Sequence, residues 1–160
     1  MTNINVVLVE PEIPHNTGAI GRLCVGLDAT LHLIRPLGFH IDDVDVKRAG
    51  LDYWEHLDLQ VYESWESFSM QTGHNVRLYL STRGERTIFD VSFQPGVYLV
   101  FGSETRGFPT SFYQDYREQL VRIPMPGQHA RSMNLANAAS VAMYEAYRQI
   151  EFPDGEGGDG

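Results

Sequence analysis

Cysteine is nearly absent from the sequence, with Cys24 as its single example. One thiol cannot form a disulfide within its own chain, and it cannot supply the ligands of a cysteine-rich zinc site. Histidines do not fill that role, because the six of them are scattered without metal-ligand spacing. We therefore expect no bound metal, and we interpret Cys24, which lies in an apolar helical stretch, as a packed core side chain.

Long apolar runs and basic residues are also scarce. No run approaches the roughly 20 apolar residues that a membrane span needs, so no membrane partner is expected. The N-terminus has no basic segment ahead of its first apolar run, unlike a signal peptide, which favours a cytoplasmic protein. Twelve Lys and Arg against 21 Asp and Glu give a net charge of −9, which disfavours a nucleic-acid partner. Because arginines recur along the second half of the chain, one face could still be basic.

Short apolar segments alternate with helical stretches along the chain. This alternation predicts an α/β fold, with a mostly parallel sheet flanked by helices and ligands bound beyond the carboxyl ends of the strands. A side chain at Asn16 or Thr17 is expected to cap a helix that runs to about residue 28. We expect one domain over residues 1–152 and a disordered, acidic, glycine-rich tail over 153–160. The predicted strands are 4–9, 30–35, 58–62, 76–81, 97–102 and 120–123.

The last predicted helix, from about Ser132 to Gln149, carries two stripes at helical spacing. One stripe is small and apolar and is expected to pack on the sheet. The other is polar and suits a ligand or subunit surface. The apolar stripe is Leu135, Ala139, Ala142, Ala146 and Ile150, and the polar one is Asn134, Asn137, Val141, Tyr144 and Arg148.

Three segments could carry chemistry. Asn16–Arg22 joins the first strand to its helix, but it lacks the full G-x-G-x-x-G fingerprint and by itself is more typical of a capped helix. Residues 99–108 surround Glu104 and Arg106 with glycines at the end of a buried strand, which slightly favours a nucleotide-shaped pocket over the alternative of a surface ion pair. The third segment, 123–140, is stiffened by proline and offers Ser132 as a helix cap.

Taken in order, N-T-G-x-x-x-R, then L-V-F-G-S-E-T-R-G, then I-P-M with S-M-N-L-A-N-A resemble the three motifs of the SPOUT methyltransferases. The resemblance covers essentially the whole chain. It implies an α/β knot, with a deep C-terminal trefoil knot that forms the binding pocket for S-adenosylmethionine, which is converted to S-adenosylhomocysteine without a metal. It also implies a homodimer with the first and last helices packed across a two-fold axis. It is greatest to the members that methylate the ribose of C or U at the wobble position (34) in the anticodon stem-loop of leucine tRNAs.

The resemblance also assigns roles to residues. Arg22 would orient the ribose 2′-hydroxyl and stabilise the forming oxyanion, since a guanidinium is a poor base. Glu104 and Asn134 would shape the active site, and Ser132 would contact cofactor or substrate. Tyr144 would stack on the cofactor or a base, or belong to an interface. Three arginines are expected to contact RNA phosphates: Arg83, Arg86 and Arg131. The expected cofactor-binding residues are Leu80, Ser81, Thr82, Gly102, Glu104, Gly107, Ile123, Pro124, Met125, Ser132 and Leu135.

Other functions remain open at this point. The same motifs fit a methyltransferase acting on another tRNA position or on ribosomal RNA, because cofactor-binding motifs do not select the RNA. The acidity of the chain is the reason to consider a non-catalytic RNA-binding or assembly factor. The presence of the motif residues Arg22, Glu104, Ser132 and Asn134 counts against that alternative. A nucleotide-binding metabolic enzyme is disfavoured, since neither a complete Rossmann fingerprint nor a Walker A loop is present.

Overall fold

The computed structural model describes residues 3–42 and 53–153, and it contains a seven-stranded sheet with helices on both faces. Two single turns of 3₁₀ helix, Trp54–His56 and Arg117–Gln119, lie between the main elements. The strands are β1 Ile4–Val9, β2 Thr30–Ile34, β3 Leu59–Tyr62, β4 Arg77–Leu80, β5 Arg86–Thr87, β6 Val97–Phe101 and β7 Leu120–Arg122; the helices are α1 Pro14–Gly26, α2 Trp65–Thr72, α3 Phe112–Asp115 and α4 Leu135–Glu151.

The sheet has the order β3-β2-β1-β6-β4-β7-β5, and the neighbouring strands pair in parallel. This confirms the predicted α/β class. β1 lies inside the sheet, paired with β2 on one side and β6 on the other. Val6, Val7 and Leu8 are consecutive and fully buried, because side chains on both faces of this parallel strand are covered by other elements.

Strand β7 lies between β4 and β5, which follow one another in the chain. Ser81 N–H donates to the Val121 carbonyl at 2.9 Å, and Ile88 N–H donates to the Arg122 carbonyl at 2.9 Å. The chain that joins β4 to β5 passes very close to β7, since a Cβ added at Gly84 would lie 2.7 Å from the Val121 carbonyl carbon. β7 therefore lies between β4 and β5, although the chain joins those two strands to each other before it reaches β7. This arrangement agrees with the trefoil knot, which itself stays a prediction.

One face of the sheet is covered by α1 and α4. Ile20 and Cys24 of α1 are buried against the sheet, so the prediction of Cys24 as a core residue is confirmed. Burial raises the pKa of the Cys24 thiol far above its usual value. The predicted packing stripe of α4 is confirmed, since Ala139, Ala142 and Ala146 are fully buried and the polar stripe faces outward.

Aromatic side chains fill the opposite face. Phe68 of α2 is fully buried beneath Trp65, whose indole N–H donates to the Tyr116 hydroxyl at 2.9 Å. Tyr116 stacks on Tyr79 of β4 with ring centroids 4.4 Å apart. α3 adds Phe112, whose ring lies 4.8 Å from that of Trp65. This cluster fixes β4 and α3, which both border the site described below.

The predicted caps of the two long helices were wrong. α1 begins at Pro14, where proline's missing N–H costs no hydrogen bond, and Ile13 is its N-cap without any side-chain bond. Asn16 and Thr17 lie inside the first turn of α1 and are buried, and the helix ends at Gly26 rather than at residue 28. α4 begins at Leu135 rather than near Ser132, because the Asn134 side chain accepts the free N–H groups there.

Most predicted strands end one residue earlier than expected, and β5 was missed because two residues carry no recognisable period. The predicted tail begins at Pro153 and otherwise lies outside the described residues. Over residues 3–42 and 53–153, no helix combines the length and apolar character needed to cross a membrane.

Candidate active site

A cavity of about 240 Å³ lies at the carboxyl ends of three neighbouring strands, β6, β4 and β7. Because parallel strands end at the same edge of a sheet, the loops that follow them converge there. The first turns of α4 close the remaining side. The lining residues are Leu80, Ser81, Thr82, Phe101, Gly102, Ser103, Glu104, Gly107, Phe108, Tyr113, Ile123, Met125, Ser132, Met133, Leu135 and Ala138.

Ten of the eleven residues expected to bind the cofactor line this single cavity; Pro124 does not. They come from segments 80–82, 102–107 and 123–135, which are distant in sequence. Six lining residues were not singled out from the sequence: Phe101, Ser103, Phe108, Tyr113, Met133 and Ala138. Four of them are neighbours of named motif residues, whereas Tyr113 and Ala138 lie on helices and carry no local signal.

Two glycines make the loop after β6 unusually tight. A Cβ added at Gly102 would lie 2.5 Å from the carbonyl carbon of Gly107, so two stretches of backbone meet there. Gly107 has a φ of +69°, which favours glycine, and a Cβ there would lie 2.7 Å from the Tyr113 hydroxyl. That hydroxyl accepts the Phe108 N–H at 3.1 Å. The loop therefore has one closely packed shape and leaves its inner side to the cavity.

Glu104 points from this loop to the start of α1. One carboxylate oxygen accepts the Glu12 N–H at 2.7 Å, and the other accepts the Ile13 N–H at 3.2 Å. These N–H groups, at the start of α1, have no helical carbonyl to bind. Glu104 accepts them from a distant loop and so acts as a cap for the helix. Glu104 does not pair with Arg106 as the alternative interpretation expected. The Arg106 guanidinium instead lies 3.7 Å from the Glu12 carboxylate.

The Glu12 carboxylate returns the contact. It accepts the Thr105 N–H at 3.2 Å and the Thr105 hydroxyl at 2.8 Å. Hydrogen bonds from the hydroxyls of Thr105 and Ser103 hold the pKa of Glu12 below its usual value, with a smaller contribution from Arg106. Glu12 is therefore ionised at neutral pH.

Asn134 links α4 to α1 beside the cavity. Its side-chain oxygen accepts the N–H groups of Ala136 at 2.8 Å and Asn137 at 3.2 Å, and its amide donates to Asn16 at 3.1 Å. Asn134 is not a lining residue. Its contacts explain why an asparagine stands at this position, because it sets where the cavity-lining turn of α4 begins.

Arg22 lies apart from the cavity of its own chain. It is exposed on α1, its guanidinium is 4.8 Å from the centre of the Tyr53 ring, and it donates to the Tyr53 hydroxyl at 3.4 Å. Of the residues expected to bind RNA, Arg83 is beside the cavity, with its guanidinium 4.0 Å from the Tyr113 ring centre. Arg86 donates to the Glu118 carbonyl at 2.6 Å, and Arg131 and Tyr144 are exposed.

Within the part of the chain that the structure describes, no three side chains of His, Cys, Asp or Glu come together as a metal site. The cavity combines apolar side chains with the carboxylate of Glu104 and five hydroxyl groups. The hydroxyls belong to Ser81, Thr82, Ser103, Tyr113 and Ser132. That composition is typical of pockets for small organic molecules, which bind by apolar contact and are oriented by a few polar groups.

Comparisons with known proteins agree with this geometry. Residues 3–144 match the model of the SpoU rRNA Methylase family. A protein of Burkholderia ambifaria named tRNA (cytidine(34)-2′-O)-methyltransferase is 46% identical over 94% of this chain and 98% of its own, and one of Saccharophagus degradans with the same name is 48% identical over 92% and 96%.

Solved structures give the same result. A structure concerned with the 2-OH methylation of C/U34 on tRNA superimposes with a TM-score of 0.86 at 46% identity, covering 91% of this chain and 95% of its own. The SpoU methyltransferase AviRb from Streptomyces viridochromogenes, in complex with the cofactor AdoMet, has a TM-score of 0.78 at 26% identity, covering 93% and 58%. These matches confirm the resemblance to the SPOUT methyltransferases. The chain belongs to the SpoU rRNA methylase family.

Proposed function

We propose that this protein transfers a methyl group from S-adenosylmethionine to the ribose 2′-hydroxyl of C or U at position 34 of tRNA. The observation that carries the proposal is the convergence of three motif loops on one cavity at the carboxyl ends of β4, β6 and β7. Curated relatives that are 46% and 48% identical over nearly all of the chain are named for this reaction. Leucine tRNAs are the proposed isoacceptors, in keeping with the motif resemblance.

The cavity suits S-adenosylmethionine. Apolar side chains of Leu80, Ile123 and Leu135 offer a surface for the adenine ring, and the tight glycine turn brings backbone groups of residues 102–107 to its edge. The Glu104 carboxylate adds negative charge beside a cationic ligand. When bound, S-adenosylmethionine supplies a methyl group already activated for transfer. The protein's remaining tasks are to hold the ribose oxygen in line with that methyl group and to exclude water.

Arg22 is the proposed group that meets the ribose. A guanidinium stays protonated in proteins, so it orients the hydroxyl and stabilises negative charge on its oxygen rather than removing the proton. Since Arg22 does not line the cavity of its own chain, this role needs a second protomer. A homodimer built on α1 and α4 would bring Arg22 of one protomer to the cavity of the other.

Exposed faces of α1 and α4 support such a dimer. His15 and Arg22 are seven residues apart and lie on one exposed side of α1. On α4, Val141 is 39% exposed and Tyr144 is 53% exposed, which is unusual exposure for side chains on a helix that otherwise packs on the sheet. Tyr144 is therefore proposed at the interface or against the RNA that it borders.

Electrostatics allow an RNA partner despite the net charge of −9. Between residues 83 and 131 there are six arginines and five acids, so the acidic excess belongs to the rest of the chain. Arg83 stands beside the cavity, and Arg131 is exposed in the segment that leads into α4. We propose these two and Arg86 as phosphate contacts, and a cytoplasmic site of action follows from a tRNA substrate.

The test is nucleoside mass spectrometry of tRNA from cells that lack the gene, after incubation with the purified protein and S-adenosylmethionine. The expected product is 2′-O-methylcytidine or 2′-O-methyluridine at position 34 of leucine tRNA. Arg22→Ala should lower the turnover number by at least about a hundredfold with unchanged cofactor affinity. Arg117→Ala, which removes an exposed arginine paired with Glu85, is the matched control and should behave as wild type.

Ribosomal RNA is the second candidate substrate, because the matching family model carries that description. A panel containing both RNAs separates the two candidates. Methylation of ribosomal RNA in preference to tRNA would reverse their order. Cofactor binding that is undetectable by calorimetry, with no methylation of either RNA, would instead favour a non-catalytic RNA-binding factor.

A further inference from the structure

Glu12 and Glu104, which are 92 residues apart in sequence, each accept a backbone N–H from the other's loop. The Glu104 carboxylate accepts the Glu12 N–H, and the Glu12 carboxylate accepts the Thr105 N–H. The Thr105 hydroxyl lies 2.8 Å from both Glu12 oxygens. Each loop therefore fixes the other, and we call this arrangement of Glu12, Glu104 and Thr105 the carboxylate clamp.

The Glu12 side of the clamp is anchored to the sheet. Glu10 N–H donates to the Ile34 carbonyl at 3.0 Å, and Gly38 N–H donates to the Pro11 carbonyl at 2.9 Å. A Cβ added at Gly38 would lie 2.8 Å from the Glu12 Cα atom, so the chain after β2 presses directly on this residue. Glu12 is thus a fixed support, and loop 103–107 is the part that it holds in place.

Glu12 is not a lining residue, whereas Ser103, Glu104 and Gly107 of the held loop are. We propose that Glu12 is a positioning residue for the cofactor: its carboxylate holds loop 103–107 in the shape that binds S-adenosylmethionine. The inference rests on the proposed function, since it takes the cavity to be the cofactor site. It adds a residue that acts through loop 103–107 without touching the ligand.

The chemistry of the clamp requires a carboxylate. An ionised glutamate has two oxygens that only accept, and Thr105 presents two donors to them. Arg106 lies 3.7 Å away and balances the charge. A glutamine would keep one acceptor oxygen but turn an N–H₂ group towards the loop and lose the attraction to Arg106. Glu12→Gln should therefore weaken S-adenosylmethionine binding less than Glu12→Ala does.

The experiment measures the dissociation constant for S-adenosylmethionine by calorimetry, without RNA. Glu12→Ala should weaken binding about tenfold, as expected for the loss of charge-assisted hydrogen bonds that shape a site. Thr105→Val, which removes only the hydroxyl, should weaken it about threefold. The double variant should bind no more weakly than Glu12→Ala, because both changes break the same contact.

Asp58→Ala is the matched control. Its carboxylate also accepts two side-chain hydrogen bonds, from Thr30 at 2.8 Å and from Gln60 at 3.1 Å, but it lies at the amino end of the sheet. It should lower the denaturation midpoint and leave the cofactor affinity unchanged. In the methylation assay, Glu12→Ala should raise the KM for S-adenosylmethionine, while kcat at saturating cofactor and the KM for tRNA stay near wild-type values.

The possible failures are distinguishable. A wild-type protein that does not bind S-adenosylmethionine overturns the proposed function and this inference with it. If the wild type binds and both Glu12→Ala and Thr105→Val bind equally well, the inference alone is overturned. If Glu12→Ala does not fold, Thr105→Val decides, and an affinity equal to that of wild type rejects the clamp. An equal loss of affinity in Asp58→Ala would show a general effect of stability and would also reject it.

Discussion

His32, in the middle of β2, is a buried histidine whose protonation should control acid stability. It is 4% exposed, and both ring nitrogens have partners: the Tyr62 hydroxyl at 2.9 Å from Nδ1 and the Asn5 side-chain oxygen at 3.0 Å from Nε2. Asn5 donates its amide to the Gly96 carbonyl, which turns its oxygen to the ring. Nε2 therefore carries the proton, Nδ1 accepts from Tyr62, and the ring is neutral.

Burial lowers the pKa of His32 from 6.5 to about 4, and the nearby Asp58 opposes this only in part. Because the folded state binds the proton less readily than the unfolded state, this group favours folding at neutral pH. The contribution is present above pH 6.5 and is lost as the pH falls through about 4. A difference of this size corresponds to a loss of about 2.5 kcal/mol at pH 4.5 and about 3 kcal/mol at still lower pH.

The assay compares wild type with His32→Gln, in which an amide can still bond to Tyr62 or Asn5 but cannot be protonated. The free energy of unfolding is measured in urea at pH 7 and at pH 4.5, at one protein concentration. Both proteins lose the contribution of their carboxylates, so the difference between their pH dependences isolates His32. Wild type should lose about 2.5 kcal/mol more than the variant over this range.

An NMR titration supplies an independent check, because the ring resonance that disappears in His32→Gln belongs to His32. That resonance should titrate near pH 4. The reasoning would be refuted by a midpoint near 6.5, or by parallel loss of stability in the two proteins. Either result would mean that water reaches the His32 ring or that Asn5 and Tyr62 do not hold the ring neutral.

Two further substitutions test the elements that shape the cavity. Asn134→Ala removes the cap of α4 and the bond to Asn16. It should lower the free energy of unfolding, measured in urea, by about 1–2 kcal/mol. Asn134→Asp keeps the cap oxygen and should lower this free energy less, so equal losses in the two variants would contradict the role of Asn134 as a cap. Gly102→Ala should abolish cofactor binding in calorimetry, because its Cβ would lie 2.5 Å from backbone. Gly26→Ala, with no atom within 4 Å, is its control, and wild-type affinity in Gly102→Ala would contradict the tight turn.

Local pattern in the sequence was enough to predict most of the sheet. The segments at 4–9, 30–34 and 97–101 are buried on both faces at most positions, so most of their residues are apolar and the strands stood out although Asn5 and His32 lie within them. Two of the loops that line the cavity, in residues 99–108 and 123–140, were singled out from the sequence itself, whereas loop 80–82 was identified only through the resemblance to the SPOUT methyltransferases. Each follows directly on a strand, and parallel strands bring such loops to one edge.

Contacts between distant segments were not predictable in this way. Ser132 and Asn134 are both good capping residues, and only the position of the Ala136 and Asn137 N–H groups selects Asn134. Glu12 carried no signal, because its partner Thr105 is 93 residues away. β5 is a strand only because β7 lies beside it, with Thr87 paired to Arg122.

The order of the strands links the fold to the proposed chemistry. Two walls of the cavity follow β4 and β6, but the third follows β7, which lies between β4 and β5. Residues 123–135 therefore follow a strand that lies between two strands that precede it in the chain. The cavity is a property of the completed topology, and neither half of the sequence contains it. Because β7 is hydrogen-bonded to a strand on each side, the segment that follows it starts from a fixed position in the sheet. The carboxylate clamp adds a contact outside the sheet, because it ties loop 103–107, which follows β6, to the segment just before α1.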